Sequence, residues 1–265
     1  MDVSIVIVTY HSVDVLDKCL RGIGPALREA VLVVDNGSAD ATVSIAQSHG
    51  VRVVELGHNT GFAAAANAGA AQATGQVLCF LNPDTEPAPS LFAAGVEALR
   101  DRPTDCAVPR RVGMGETIAE GRQPGYTRRR LLADILKANY GIGASPSPGT
   151  RGMGDPGWCW PLGTCLFIRT ARFHELGGFD TRYFMYMEDV DLGWRLHRAG
   201  GQVIAIDTTL VHQGARGTNV TCRRQMTLLN RGRIRYGTIH YGRLFGAAVA
   251  VLAAPAALLH WRGRP

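Results

Sequence analysis

Roughly the first 85 residues repeat one unit, a short β-branched strand, a polar turn and a helix, and this repeat restricts the chain to folds whose strands run parallel. Val3–Thr9 is the first strand; it stops at Tyr10-His11-Ser12, where Ser12 is placed to cap a helix running to about Arg21. Val31–Val34 is the second, followed by the turn Asp35-Asn36-Gly37-Ser38-Ala39-Asp40 and a helix over Ala41–His49. Val51–Leu56 is the third, ending at Gly57-His58-Asn59-Thr60-Gly61, and an Ala-rich helix over Phe62–Ala73 leads into a fourth. Right-handed crossovers between such strands make every turn open on one edge of the sheet, where ligands of α/β folds gather.

The fourth strand ends in Asn82-Pro83-Asp84, with a second carboxylate at Glu86. A carboxylate just past a stiffening Pro at that edge suits a hard divalent cation bridging phosphate oxygens, although Asn-Pro-Asp by itself is as readily a plain turn. A mononucleotide fits the same edge. Asp35 can accept from a base N–H or a ribose hydroxyl, and the Asn59-Thr60-Gly61 turn feeds a helix N-terminus that favours negative charge. No GxGxxG follows the first strand, which argues against a dinucleotide.

A length of 265 residues with 46% hydrophobic composition suffices for one large α/β domain or two small ones. Lys and Arg number 28 against 22 Asp and Glu, a net charge of +6 that comes almost wholly from Arg and suits an anionic partner. No basic run interleaved with aromatics marks a nucleic-acid groove, and Arg128-Arg129-Arg130 reads as a solvated face. Cys19, Cys79, Cys106, Cys159, Cys165 and Cys222 form no CxxC pair and no metal-ligand spacing, which places the chain in a reducing compartment. MDVSIVIVTY lacks a basic leader and cleavage site and is a first strand, not a signal peptide.

From Pro109 to Pro156 the pattern dissolves into Gly, Pro, Arg and Ser around one helical patch, Arg129–Asn139, and predicts a flexible loop of about residues 109–157 over the site. Order returns at Trp158-Cys159-Trp160-Pro161, with a strand over Gly163–Arg169 and a short helix over Ala171–Leu176. Tyr183-Phe184-Met185-Tyr186-Met187 then leads into Glu188-Asp189-Val190-Asp191, which opens a helix stopped by Gly200-Gly201. Acids at a helix start help its dipole. Coming after five large apolar or aromatic residues, they are also set to have raised pKa values and to accept protons. Val203–Ile206 is a further strand, and His212 follows the apolar pair Leu210-Val211.

Taken together, SIVIVTYHS, VVDNGSAD, LGHNTGFAAAANAGA, FLNPDTEP, WPLGTCLFIR, GGFDTRYFMYMEDVDLGWRLHRAGG and VHQGARG resemble the family-2 glycosyltransferases, and within them a rhamnosyltransferase-like branch. The resemblance implies an α/β GT-A fold, with a Rossmann-like, mainly parallel central sheet and flanking helices. It further implies that Thr9, Tyr10 and Asp35 hold base and ribose, that Asn59, Gly61 and Phe62 line the nucleotide pocket, and that Asn82 and Asp84 stand where many relatives have Asp-x-Asp. Asp84 would be the main ligand of Mg²⁺ or Mn²⁺, His212 a further metal or diphosphate contact, Asp189 the general base, and Glu188 a group that orients it or touches the acceptor. Trp158, Trp160 and Asp191 are the remaining acceptor candidates. The implied reaction is an inverting displacement from a dTDP- or UDP-sugar, dTDP-L-rhamnose first, to the hydroxyl of a lipid-linked or saccharide acceptor in cell-surface polysaccharide or glycolipid assembly. The alternatives are a UDP-hexose or UDP-HexNAc transferase acting on a small molecule, and a non-catalytic nucleotide-sugar-binding partner. A sugar-nucleotide pyrophosphorylase is disfavoured because Tyr10-His11-Ser12-Val13-Asp14 is no Gly-rich, Arg-bearing loop.

The resemblance fades after His212, which divides the chain into a catalytic domain over residues 1–220 and a tail over 221–265. Arg223–Tyr236 reads as a basic helix and Leu244–Leu259 as an apolar run broken by Pro255, short of the about 20 residues that span a bilayer. An interfacial membrane segment is favoured over a buried helix or a homodimer contact, which predicts a cytoplasmic protein peripheral to the inner face of the cell membrane, with a membrane-borne acceptor and no nucleic-acid partner.

Overall fold

In the computed structural model, which describes residues 2–114, 117–140, 157–213 and 222–259, the repeat folds as a parallel half-sheet. β1 (Val3–Thr9), β2 (Val31–Asp35), β3 (Arg52–Glu55) and β4 (Val77–Leu81) lie in the order β3-β2-β1-β4, all parallel. The register ends with Thr9 opposite Asp35, so the turns after β1 and β2 leave the sheet side by side. α1 (Leu16–Ile23), a 3₁₀ turn over Pro25–Ala30, α2 (Thr42–Ser48) and α3 (Phe62–Ala71) make the connections. Ser12 does not cap α1. Its Oγ accepts from Tyr10 N at 3.3 Å, folding the turn back on itself, and the helix starts three residues later than the cap predicts. α3 is small-residue-rich because it lies hard on the sheet: a Cβ on Gly69 would stand 2.5 Å from Val6 Cγ1.

Beyond β4 the sheet is mixed. β5 (Thr85–Glu86), β6 (Cys106–Met114), β10 (Cys165–Arg169) and β11 (Val203–His212) continue it in the order β4-β10-β6-β11-β5, with β7 (Thr117–Glu120) paired to β6. β10 runs antiparallel to both neighbours, β11 is parallel to β6, and β5 is antiparallel to β11. β8 (Arg122–Pro124) and β9 (Cys159–Pro161) form a separate ribbon. The flexible loop expected from residue 109 is therefore wrong where β6, β7 and β8 are regular, while the helical patch expected within it over Arg129–Asn139 is α5 (Arg128–Tyr140). Pro109 and Gly113 hide a strand whose partners come from far along the chain, Val203 opposite Cys106 and Leu210 opposite Val112. Residues 141–156, the rest of that segment, lie outside the described residues.

One sheet face packs on α1, α2 and α4 (Pro89–Ala98) around Ile5, Ile7, Leu16, Phe92 and Phe167. The other packs on α3, α6 (Thr170–Glu175) and α7 (Glu188–Arg198), where the rings of Phe80, Phe173 and Phe179 meet at 4.9 to 5.3 Å. α8 (Cys222–Tyr241) and α9 (Arg243–Leu259) close a third cluster in which Tyr236 and Val249 pack with Leu131 and Ile135 of α5, Trp158, and Val190 of α7. Cys19, Cys79, Cys106, Cys159 and Cys165 are free thiols. No helix of the described residues is long and apolar enough to cross a membrane.

Candidate active site

The strand ends, the link between β9 and β10, the start of α7 and the first turn of α8 enclose a cavity of about 330 Å³. Asp84 reaches it from the end of β4. Asn82 is fixed there by its backbone N–H to Thr164 O (2.9 Å) and its carbonyl to Thr85 Oγ1 (2.7 Å), so Asn-Pro-Asp is at once a turn and a wall of the cavity. The pairing of β5 with β11 sets His212 beside it, and His212 Nε2 lies 2.9 Å from Asp84 Oδ1. Both side chains are buried, and among the described residues His212 Nδ1 has no hydrogen-bond partner.

Glu188 and Asp189 enter from the opposite half of the chain, at the start of α7. The two residues before them, Tyr186 and Met187, are left-handed at φ 68° and 74°, which turns the chain sharply from loop to helix. Asp189 uses both oxygens on backbone N–H groups, Oδ2 on Gly163 (3.0 Å) and Oδ1 on Val190 (2.8 Å). Burial nonetheless pushes its carboxyl up to about 6, because the loss of water outweighs those hydrogen bonds. Glu188 is 6% exposed, and among the described residues its Oε2 has no partner; burial first and the charge of Asp189 second raise it well above the ordinary carboxylate range.

Tyr10, Asn59, Phe62 and Asn82 line the cavity as well. Thr9, Asp35 and Gly61 do not. Asp35 is buried and its carboxylate is saturated by Thr9 Oγ1, the amides of Gly37 and Ser38, and Ser38 Oγ, so it builds the turn behind the wall. That turn presents Asn36, which faces the cavity and ties Asn59 and Thr60 to β2. Gly61 has φ 88°, and a Cβ there would strike Phe184 O. The start of α3 is less open to an anion than the sequence predicts, because Phe62 N–H already donates to Phe184 O at 2.7 Å.

The acceptor candidates fall elsewhere. Trp158 is buried against Trp194, 5.3 Å between rings, and Trp160 donates its Nε1–H to Pro124 O. Asp191 is 2% exposed and held by Arg195 (2.7 Å) and His240 (2.8 Å). These three residues bind α7 to the β8-β9 ribbon and to α8; none lines the cavity. Sequence reasoning passed over Asn36, Gly163, Thr164, Tyr186 and Gln225, all on the wall. Asn36 stood inside a motif already singled out, whereas nothing in the basic pattern of α8 distinguishes Gln225.

A family model described as glycosyl transferase family 2 matches residues 4–150, more than half of the chain. The N-acetylglucosaminyl-diphospho-decaprenol L-rhamnosyltransferase of Mycobacterium tuberculosis is 29% identical over 247 residues, covering 81% of this chain and 76% of the relative. Rhamnosyltransferase WbbL of Escherichia coli is 37% identical over 71 residues, 26% of this chain and 27% of the relative. Among solved structures, the mannosyltransferase PcManGT of Pyrobaculum calidifontis, in complex with GDP-Man and Mn²⁺, superposes with a TM-score of 0.58 at 19% identity, over 98% of this chain and 78% of that one. S. aureus TarS 1-349 in complex with UDP gives 0.55 at 16% identity, over 99% and 72%. These likenesses place the parallel half-sheet and its mixed extension in the GT-A fold, and the family match over β1 to α5 makes the assignment: the chain belongs to glycosyl transferase family 2 and is a glycosyltransferase.

Proposed function

We propose that the protein transfers L-rhamnose from dTDP-L-rhamnose to a hydroxyl of a polyprenyl-diphosphate-linked sugar, working at the inner face of the cell membrane in cell-surface polysaccharide assembly. The observation that carries the reaction type is the single cavity on which Asp84 and His212 meet the Glu188-Asp189 pair. The substrates rest on the likeness to the mycobacterial relative, whose name specifies an L-rhamnosyl donor and a diphospho-decaprenol acceptor.

Asp189 removes the proton of the acceptor hydroxyl while that oxygen bonds to C1 of the donor sugar. The bond from C1 to the diphosphate breaks on the opposite face, and the nucleoside diphosphate leaves with the electron pair. A base of this kind contributes about 10²–10⁴-fold to the rate, and a pKa near 6 leaves Asp189 ionised at neutral pH but still basic enough to take a proton. Tyr10, Asn36, Asn59 and Phe62 offer an aromatic and amide wall for the nucleotide. A carboxylate and an imidazole 2.9 Å apart, the imidazole keeping a buried nitrogen unpartnered among the described residues, are a donor pair whose chemistry suits Mg²⁺ or Mn²⁺. Asp84 and His212 would hold that ion, which when bound supplies positive charge against the diphosphate.

The test is transfer itself. Purified protein given dTDP-L-rhamnose, a polyprenyl-diphosphate N-acetylglucosamine and Mn²⁺ should release dTDP only when acceptor is present, and Asp189→Asn should stop release while still binding dTDP. Turnover with UDP-hexoses and none with dTDP-L-rhamnose would overturn the donor assignment.

A further inference from the structure

Glu188 is the one carboxylate of the cavity that the reaction above leaves without work. It is nearly as buried as Asp84, yet among the described residues its Oε2 has no hydrogen-bond partner and no cation pairs with it. Its neighbours explain which acid of the pair carries charge. Asp189 is bound through both oxygens by N–H groups of Gly163 and Val190, an arrangement that stabilises a carboxylate. The basic side chains of α7 and α8 that bond a carboxylate go to Asp191, Arg195 through Nε and His240 through Nε2. The other titratable groups around Glu188 are Tyr186 just before it, and Asp84 and His212 on the same cavity. An ionised Glu188 would set an uncompensated charge beside a second one; a protonated Glu188 supplies an O–H donor on the same wall as the base.

We propose that Glu188 meets the substrates as a neutral carboxylic acid and donates a hydrogen bond to an oxygen of the acceptor sugar, leaving Asp189 as the only charge of the pair. Adjacent to the base in the helix, Glu188 orients the sugar whose hydroxyl Asp189 deprotonates. The inference rests on the reading of Asp189 as the base. It adds a prediction that this reading lacks: the function of Glu188 needs a donor, not a negative charge.

Two measurements test it. Glu188→Gln keeps a neutral N–H donor of the same length and should hold kcat/KM to within about tenfold of the parent, whereas Glu188→Ala should lose about 10²-fold or more. Infrared spectra of the substrate-free protein at neutral pH should contain the C=O stretch of a buried protonated carboxyl, absent in Glu188→Gln and retained in Asp189→Asn. Gln and Ala variants equally impaired at unchanged melting temperature, or no protonated-carboxyl band assignable to Glu188, would overturn the proposal. The infrared result needs neither substrate nor turnover, so it stands or falls apart from the choice of donor and acceptor; and because Gln preserves volume, it remains informative if the Ala variant fails to fold.

Discussion

Asp84 and Asp189 are both buried carboxylates on one cavity, and their surroundings give them different tasks. Asp84 shares a hydrogen bond with His212, so Asp84→Ala removes a charge from the place assigned to the diphosphate and strands the imidazole. We expect calorimetry to find nucleoside diphosphate binding weakened at least about tenfold, with Mn²⁺ no longer improving it. For Asp189 the direction of the shift fixes a pH limb. In the proposed role of base the carboxylate is the active form, and its pKa is raised to about 6, so kcat/KM should fall about tenfold per pH unit below that point and level off above it. The same shift means that the neutral form suits the fold better. Stability from this group is full below its unfolded value of 3.8 and is lost as pH rises through about 6, opposite in sign to a salt-bridged Asp. Both residues were legible in the sequence, because each ends an apolar stretch at a place where the chain must turn. Asp35, Trp158 and Asp191 were legible as unusual, but that they stand off the cavity was not, since what fixes them is a partner distant in sequence or a local turn that saturates the group: Thr9 and Ser38 for Asp35, Trp194 for Trp158, His240 for Asp191.

Among the elements, those of the first half announce themselves by period and those of the second do not. β1, β2 and β4 are largely apolar runs because both faces are covered, whereas β3, at the sheet edge, is Arg-Val-Val-Glu with its two charged ends exposed. β6 carries Pro109, Arg110 and Gly113 and exists as a strand because β10, β11 and β7 pair with it, information that no local window of sequence contains. The same non-local logic governs the start of α7. Its acids follow two left-handed residues, a conformation that costs about 1–3 kcal/mol per residue and persists only where the surroundings enforce it. Gly232 of α8 leaves room for that turn: a Cβ there would stand 2.8 Å from Tyr186 O and 2.9 Å from Met187 Cγ. Gly232→Ala should therefore displace the Tyr186-Met187 turn and with it Glu188 and Asp189. A misplacement on the order of 1 Å costs about 10²-fold in rate, so kcat should fall by that order. Binding of the nucleotide at its proposed place, on the ends of β1, β2, β4 and β11, should be spared. Equal loss of donor affinity and kcat, or no loss of either, would show that α8 does not position the acids.

At the scale of the molecule, α8 and α9 do two things at once. Their inner sides complete the third core cluster and, through Gln225, the cavity; their outer sides are basic on α8 and apolar on α9. Arg224, Arg231 and Arg235 recur on the exposed side of α8. On α9, Val249 and Ala253 are buried while Leu244 is 90% and Val251 70% exposed, with Ala247 and Ala248 between them also exposed and Arg243 at the start. The apolar run that the sequence offered either to a membrane or to the core thus serves the core along one side and, over residues 244–254, leaves the other exposed. A lipid surface suits it: each Arg near anionic headgroups contributes about 1 kcal/mol, and an exposed Leu and Val add apolar area that a water-facing helix does not need. The full-length protein should float with anionic liposomes at low salt, less so as salt rises, and not with neutral ones. Leu244→Glu with Val251→Glu should abolish flotation while leaving the melting temperature nearly unchanged, because substitutions this exposed shift stability by about 0.5 kcal/mol or less. A wild-type protein that stays with the soluble fraction at low salt would overturn the assignment of α9 to a lipid surface.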